Sequence, residues 1–366
     1  MFERINERIV IVKLGALGDV LRTTMCLEPL KRRFPGSHIT WVTRENARPL
    51  LDGNPWIDRI LCVEHNYLEL LLTERFDVAI GPDTDPVSSA IMALVRAGVK
   101  HGFAADERGG VIPLSDVAHE WWLMGIDDAR KQANRRTYGE LLYAMCDLVA
   151  PVVRPRFDLS QDVTERATQR LRNARPRRTR WVGFNTGAGE RWAEKRWKPA
   201  YFVRLAELVE RAHPECAIVL MGGPEQQWLN EQLIDAHPTF IDGGTANTMP
   251  EFAGLIAACD WILTADSLGY HVASAVGTPA MCLVGPTSPW ELDAFDTNCV
   301  LHAALECIAC YRAHCPFDST CMDLLSPEIV WDRVREWREE SRGPRITPPW
   351  VNIVQPAGEL VAAAST

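Results

Sequence analysis

The sequence predicts an α/β protein built from two Rossmann-like, doubly wound halves. Three observations predict it. Short apolar runs alternate with amphipathic segments through residues 8–149 and again through 181–340, the pattern of βαβ units on a parallel sheet. A proline-rich stretch, APVVRP at 150–155, and a basic one, RPRRTR at 175–180, interrupt the alternation between the halves. Glycine-bearing polar turns follow strands in both halves, where doubly wound folds bind ligands. A chain of 366 residues also suits two domains of roughly 100–200 residues each.

In order, residues 8–13 (RIVIVK) read as a first buried strand, 14–19 (LGALGD) as a turn, and the stretch to Phe34 as one amphipathic helix ended by Pro35 and Gly36. Strands follow at 38–43, 59–63, 77–81 and 100–103, with helical segments between them and a closing helix at 138–149. The linker is expected between 150 and 180, with an extra helix at 162–174. The second half reads strand 181–185, helix 199–213, strand 217–221, helix 225–236 and helix 251–259. Then comes TADSLGYHVASAVGTPAMCLVGPT at 264–287. There a strand ends at Thr264, Asp266 and Ser267 are placed to cap a short helix, Pro279 stops it, and 281–284 is the next strand. A charged helix is expected at 326–340 and a loose, proline-bearing tail after Gly343. The domains are therefore drawn at 1–165 and 175–342, with 343–366 as tail.

Hydrophobic content of 47% and charged content of 24% are ordinary for a globular chain. A formal charge of −9 argues against a nucleic-acid partner, which favours a basic footprint. No run reaches membrane-span length and no signal-type segment opens the chain, so a cytoplasmic protein is expected. Seven of the eleven cysteines lie inside apolar runs and read as small core residues.

Four turns carry candidate chemistry, each with a plainer reading beside it. In LGALGD, Gly15 and Gly18 permit close backbone approach and Asp19 offers a carboxylate; equally, Asp19 is a helix-start acid. GAGERWAEKRW at 187–197 follows Thr186 with Gly187, Gly189 and Lys195, a cation for an anionic ligand or simply an exposed charged loop. GGPE at 222–225 sets Glu225 at a helix start, where it could accept from ribose hydroxyls. Asp266, Ser267, Gly269 and His271 begin a helix whose amino end suits phosphate. Separately, Cys307, Cys310, Cys315 and Cys321, spaced C-x2-C-x4-C-x5-C, form a structural zinc or iron site, a set of reduced loop thiols, or disulfides, the last of which suits a cytosolic setting poorly. Arg130, Lys131, Arg135 and Arg136 form a basic run, an anion site or a solvated face.

KLGALGDVLRTT at 13–24, GAGERWAEKRW at 187–197, GGPE at 222–225 and ADSLGYHVASAVGTPAMCLVGPTSP at 265–289 together resemble glycosyltransferase family nine, the ADP-heptose:lipopolysaccharide heptosyltransferases. The resemblance implies a GT-B fold, two Rossmann-like domains facing a central cleft, and inverting sugar transfer with no catalytic metal or other cofactor. It implies Asp19 as general base and Lys195 as the cation neutralising the leaving diphosphate. Gly18, Thr186, Gly187 and Glu225 would bind substrate, Glu225 through the ribose, and Asp266, Ser267, Gly269 and His271 would line the phosphate turn. The partners implied are a nucleotide-sugar donor, ADP-heptose foremost, and a glycan or lipid-linked acceptor, with at most peripheral contact at the inner face of the inner membrane. Two alternatives stand beside it: an NAD-dependent oxidoreductase, weakened by the missing GxGxxG after Lys13, and a non-catalytic binding or assembly protein holding a metal in the cysteine loop.

Overall fold

The computed structural model describes residues 7–65, 67–189, 193–340, 350–354 and 360–361. Two compact units divide the chain, Met1–Asp158 and Leu159–Thr366. The first runs β1 (Arg8–Val12), α1 (Leu17–Thr23), α2 (Leu27–Arg33), β2 (His38–Thr43), β3 (Arg59–Cys62), α3 (Leu68–Thr73) and β4 (Phe76–Gly81). It continues with α4 (Pro86–Leu94), β5 (Ala97–Ala105), β6 (Val111–Pro113), α5 (Asp116–Ile126), α6 (Asp128–Ala133) and α7 (Tyr138–Met145).

Its sheet has the order β3-β2-β1-β4-β5-β6, parallel except for β6. Ile9, Val10, Ile11 and Val12 are all buried, as a parallel strand covered on both faces requires. The order reverses between β1 and β4, so the crevice of this unit opens at their carboxyl ends. The single helix expected after β1 is instead split by a 3-10 turn at Thr24–Cys26. Thr23 and Thr24 donate their hydroxyls back to the Asp19 and Leu21 carbonyls at 2.7 and 2.6 Å, which tightens that turn.

The second unit contains α8 (Gln161–Ala174), β7 (Arg180–Asn185), α9 (Pro199–Ala212), β8 (Cys216–Met221), α10 (Gln227–Ala236), β9 (Ile241–Asp242), α11 (Met249–Ala257) and β10 (Trp261–Ala265). There follow α12 (Leu268–Val276), β11 (Ala280–Val284), β12 (Cys299–Ala303), α13 (Pro327–Glu340), β13 (Trp350–Val354) and β14 (Leu360–Val361). The sheet order is β14-β13-β12-β11-β10-β7-β8-β9, and the pairing is parallel except at β14. Here the reversal falls between β7 and β10. Phe184, Leu205, Leu220, Leu263, Leu301 and Trp337 share one core, with no residue from the first unit in it.

Two expectations need correction. The helix expected in the linker, now α8, belongs to the second unit and packs on α11, where a side chain in place of Gly254 would strike Val163. The stretch after Gly343 is not wholly a loose tail, because β13 pairs with β12 from Cys299–Trp350 to Ala303–Val354. Its sequence, WVNIV, is rich in β-branched residues, and the nearby prolines fall outside it.

Candidate active site

In the first unit, the turn after β1 is held from below by Asp83, which follows β4. The Asp83 carboxylate pairs with Lys13 Nζ, accepts from the amides of Leu14 and Gly15 at 2.7 and 2.8 Å, and accepts from Ser88 Oγ at 3.3 Å. Gly15 is glycine for steric reasons: a Cβ would lie 2.9 Å from both Asp83 Oδ1 and Lys13 Nζ. Burial would lower the Lys13 pKa, but Tyr138, Asp83 and Asp19 outweigh it and hold the ammonium above its ordinary range.

Gly18 and Asp19 sit in the first turn of α1. The Asp19 carboxylate meets Arg22 Nη2 at 2.9 Å. The Arg22 guanidinium lies 3.7 Å above the ring of Tyr138, whose hydroxyl meets Thr23 Oγ1 at 2.6 Å. Burial pushes the Tyr138 phenol up to about 12. Asp19 is thus a partly exposed carboxylate at the rim of a buried polar network. The sequence marked Asp19 but not Asp83, Arg22 or Tyr138. Asp83 does follow a strand in an acidic turn, GPDTDP, and that was its available signal.

In the second unit the turns after β7, β8 and β10 surround a pocket of about 260 Å³, open to solvent. Asn185, Gly187, Gly223, Gln226, Ser267 and Gly269 form its polar wall, and Met249 and Phe252 its apolar side. Asn185 Nδ2 donates to Gly187 O, Thr264 Oγ1 and Ser267 Oγ at 3.3, 2.9 and 3.0 Å, so one amide ties β7 to β10. A Cβ on Gly269 would stand 2.5 Å from that nitrogen.

Neither Asp266 nor Ser267 caps α12, contrary to expectation. The Ser267 hydroxyl turns to Asn185 and Thr264. The Asp266 carboxylate is drawn to Lys195 Nζ at 2.7 Å and Thr287 Oγ1 at 2.7 Å. The amides of Leu268 and Gly269, ahead of the Tyr270 amide that donates to Ser267 O at 3.1 Å, therefore have no side-chain cap, and the dipole's positive end lies behind them. Burial would raise the Asp266 carboxyl; Lys195, His271 and Thr287 overcome it and hold the group well below the ordinary carboxylate range.

Lys195 is buried, and besides the carboxylate it donates to Asp266 O at 3.0 Å. It lines a smaller cavity behind the pocket, sharing Asn185 and Ala188 with it. Thr186 points inward, donating to Met221 O at 3.2 Å and Asn230 Oδ1 at 2.7 Å. Glu225 is exposed beside the pocket, and its neighbour Gln226 accepts from Gly223 N at 3.0 Å. His271 is half-buried, its ring set edge-on to Tyr270. Residues 190–192 of the Lys195 loop lie outside the described residues. Thr245, Asn247, Met249 and Phe252 also line the pocket, and no motif announced them.

The cysteine loop leans on this site. Cys315 N donates to Glu194 Oε1 at 3.2 Å, Tyr311 N donates to Pro286 O at 2.8 Å, and Tyr311 Oη accepts from Ser288 N at 3.1 Å. Its four cysteines line one cavity with Glu194. Burial and the neighbouring thiols Cys310, Cys315 and Cys307 push the Cys321 thiol up to about 12. Among the described residues no three of these sulfurs lie within 4.8 Å of one another, wider than the edge of about 3.8 Å that zinc–sulfur bonds of about 2.3 Å set in a tetrahedral site. The basic run lies on α6 and just beyond it, where Arg130 pairs with Glu120 and Arg136 donates to Glu140 O.

Residues 66–320 match the model of Glycosyltransferase family 9 (heptosyltransferase). The chain belongs to this family. The lipopolysaccharide heptosyltransferase 2 of Escherichia coli K12 is 26% identical over 307 residues, covering 77% of this chain and 84% of that protein. In fold it is similar to a family 9 glycosyltransferase of Veillonella parvula, with a TM-score of 0.70, 20% identity and coverage of 91% and 97%. It is similar also to an E. coli heptosyltransferase solved with ADP-2-deoxy-2-fluoro heptose, with a TM-score of 0.59, 17% identity and coverage of 90% and 99%. The two parallel α/β units are thus those of a GT-B family 9 glycosyltransferase. Membership sets aside the oxidoreductase and the non-catalytic assembly protein. Among the described residues no helix is long and apolar enough to cross a membrane.

Proposed function

We propose that the protein is an inverting heptosyltransferase that takes heptose from ADP-heptose and delivers it to a lipopolysaccharide acceptor on the cytoplasmic side of the membrane. The observation that carries this reading is the uncapped amino end of α12, which opens on the pocket while Asp266 at its base holds Lys195. The amides and the dipole suit a diphosphate. An ammonium has three N–H groups, and two of Lys195's go to Asp266, which supports a reading in which the third meets the departing phosphate. Charge developing on the leaving group is then met by preorganised donors. Phe252 and Met249 offer apolar surface for the base, and Glu225 a carboxylate for the ribose. Asp19 takes the proton of the acceptor hydroxyl, held in place by the turn that Asp83 anchors.

The test is to incubate the protein with ADP-heptose, and with other nucleotide sugars, on a heptose-deficient lipopolysaccharide acceptor and to measure nucleoside diphosphate release. ADP-heptose should be the preferred donor. Asp19→Asn should lower kcat by about 10²–10⁴-fold with donor affinity retained, whereas Lys195→Ala should lose both turnover and affinity for ADP. Full turnover in Asp19→Asn would remove the assigned base.

The four-cysteine loop is proposed as the seat of a structural zinc or iron, on the strength of four thiols sharing one cavity wall, whose sulfurs would have to draw together around the ion. Metal analysis of the purified protein and of a Cys310→Ser, Cys315→Ser double variant should show stoichiometric metal lost on substitution; equal, trace metal in both would remove the site.

A further inference from the structure

At the outer edge of the first unit's sheet, Glu45, Cys62 and His65 converge. Glu45 opens the 3-10 turn that leaves β2, Cys62 is the last residue of β3, and His65 follows in a turn, its amide donating to the Cys62 carbonyl at 3.1 Å. A carboxylate oxygen, the sulfur and an imidazole nitrogen of these residues all lie within 4.8 Å of one another. His65 Nε2 and Glu45 Oε2 are 3.7 Å apart. That is too long for a hydrogen bond, and it is close to the separation of about 3.3–3.8 Å between donors that share one tetrahedral ion at metal–ligand distances of about 2.0–2.3 Å. Cys62 is buried while Glu45 and His65 are exposed, so the sulfur would anchor an ion from the inside and the other two would close over it. Glu64 accepts the Glu45 amide at 3.0 Å, which fixes the turn.

We propose that Glu45, Cys62 and His65 bind a divalent transition metal of the zinc class. Thiolate and imidazole with one carboxylate select zinc-like ions over magnesium or calcium. β3 is an edge strand whose ladder partner is β2. The ion clips the far end of β3 to the exit of β2, closing the loop between them. Nothing in this site depends on sugar transfer or on the four-cysteine loop.

The test uses the full chain with Cys307, Cys310, Cys315 and Cys321 all changed to Ser, stripped with chelator and titrated with Co²⁺. The expected result is a thiolate-to-cobalt charge-transfer band reaching one equivalent. Cys62→Ser should abolish it, and Glu45→Gln and His65→Ala should each weaken Co²⁺ binding by about tenfold or more. No band at excess Co²⁺, or a band unchanged by Cys62→Ser, overturns the proposal. Should the serine background fail to fold, the same exposed-residue variants are made in the unaltered chain and bound zinc is counted after dialysis against a zinc buffer. His65→Ala and Glu45→Gln should then each hold one ion fewer than the parent, and equal stoichiometry overturns the site.

Discussion

Asp83 meets Lys13, two backbone amides and a serine hydroxyl, and both members of the ion pair are buried. Removing one partner of such a pair leaves the other charge stranded, which costs about 3–5 kcal/mol. Asp83→Asn should therefore destabilise the first unit by about 3 kcal/mol in urea unfolding, and a change within about 0.5 kcal/mol would show that the pair contributes little. Lys13→Met with Asp83→Leu should recover part of the loss, though not all, because the Leu14 and Gly15 amides lose their acceptor. Asp266 carries a pH prediction. Its native pKa is depressed, so between the native and unfolded values only the unfolded chain binds the proton, and stability rises with pH across that window. The stability difference between the parent and Asp266→Asn should be constant above about pH 5 and shrink as pH falls through about 4, the unfolded carboxylate's range. A difference that persists unchanged to pH 3 would mean that Asp266 gains no protection from its neighbours. Asp19, Lys195 and Asp266 were legible in the sequence because glycine-flanked turns frame them. Asp83 was not: its partners lie 68–70 residues away in the chain, and no local pattern encodes such a pairing.

Strand and helix identity was legible wherever periodicity is strong, as in β1, β2, β7, β8, α9 and α13. The misses have local causes. The 3-10 break after α1 comes from threonine back-bonding, and β13 was hidden by flanking prolines that lie outside it. Capping of α12 failed for a tertiary reason, because Asn185 and Lys195 draw away the side chains that would otherwise cap it. Gly269 in the first turn of that helix sets two effects against each other. Alanine would gain about 1 kcal/mol of helix propensity. Its Cβ, however, would stand 2.5 Å from Asn185 Nδ2, and that amide is pinned by three hydrogen bonds, so overpacking of about 1–3 kcal/mol opposes the gain. The clash should win: Gly269→Ala is expected to lower the melting temperature and to weaken ADP binding together. A raised melting temperature with unchanged ADP affinity would place Asn185 elsewhere in solution.

Each unit of the molecule owns a hydrophobic core, one around Val10, Val42, Ala79 and Met92 and the other around Phe184, Leu220, Leu263 and Leu301. This two-unit plan was the most legible feature of the sequence, because each half repeats the same alternation around a topological reversal. Which pocket-lining residues meet at that reversal was not legible, since β9 has only two residues and the Thr245–Phe252 wall follows it without a motif. The plan has a thermodynamic consequence. Every residue lining the pocket beside α12 belongs to the Leu159–Thr366 unit, and a ligand stabilises the state it binds by RT ln(1 + [L]/Kd), about 2.7 kcal/mol at a hundredfold excess over Kd. ADP alone should therefore slow hydrogen exchange in the turns after β7, β8 and β10 and through α12. Exchange in β1 and α1, on the other unit, should change far less. Unfolding followed by heat should resolve into two transitions as ADP is raised, because only one unit gains the binding energy and the two-state approximation then fails. Equal protection of both units by ADP would locate the nucleotide somewhere other than the pocket beside α12.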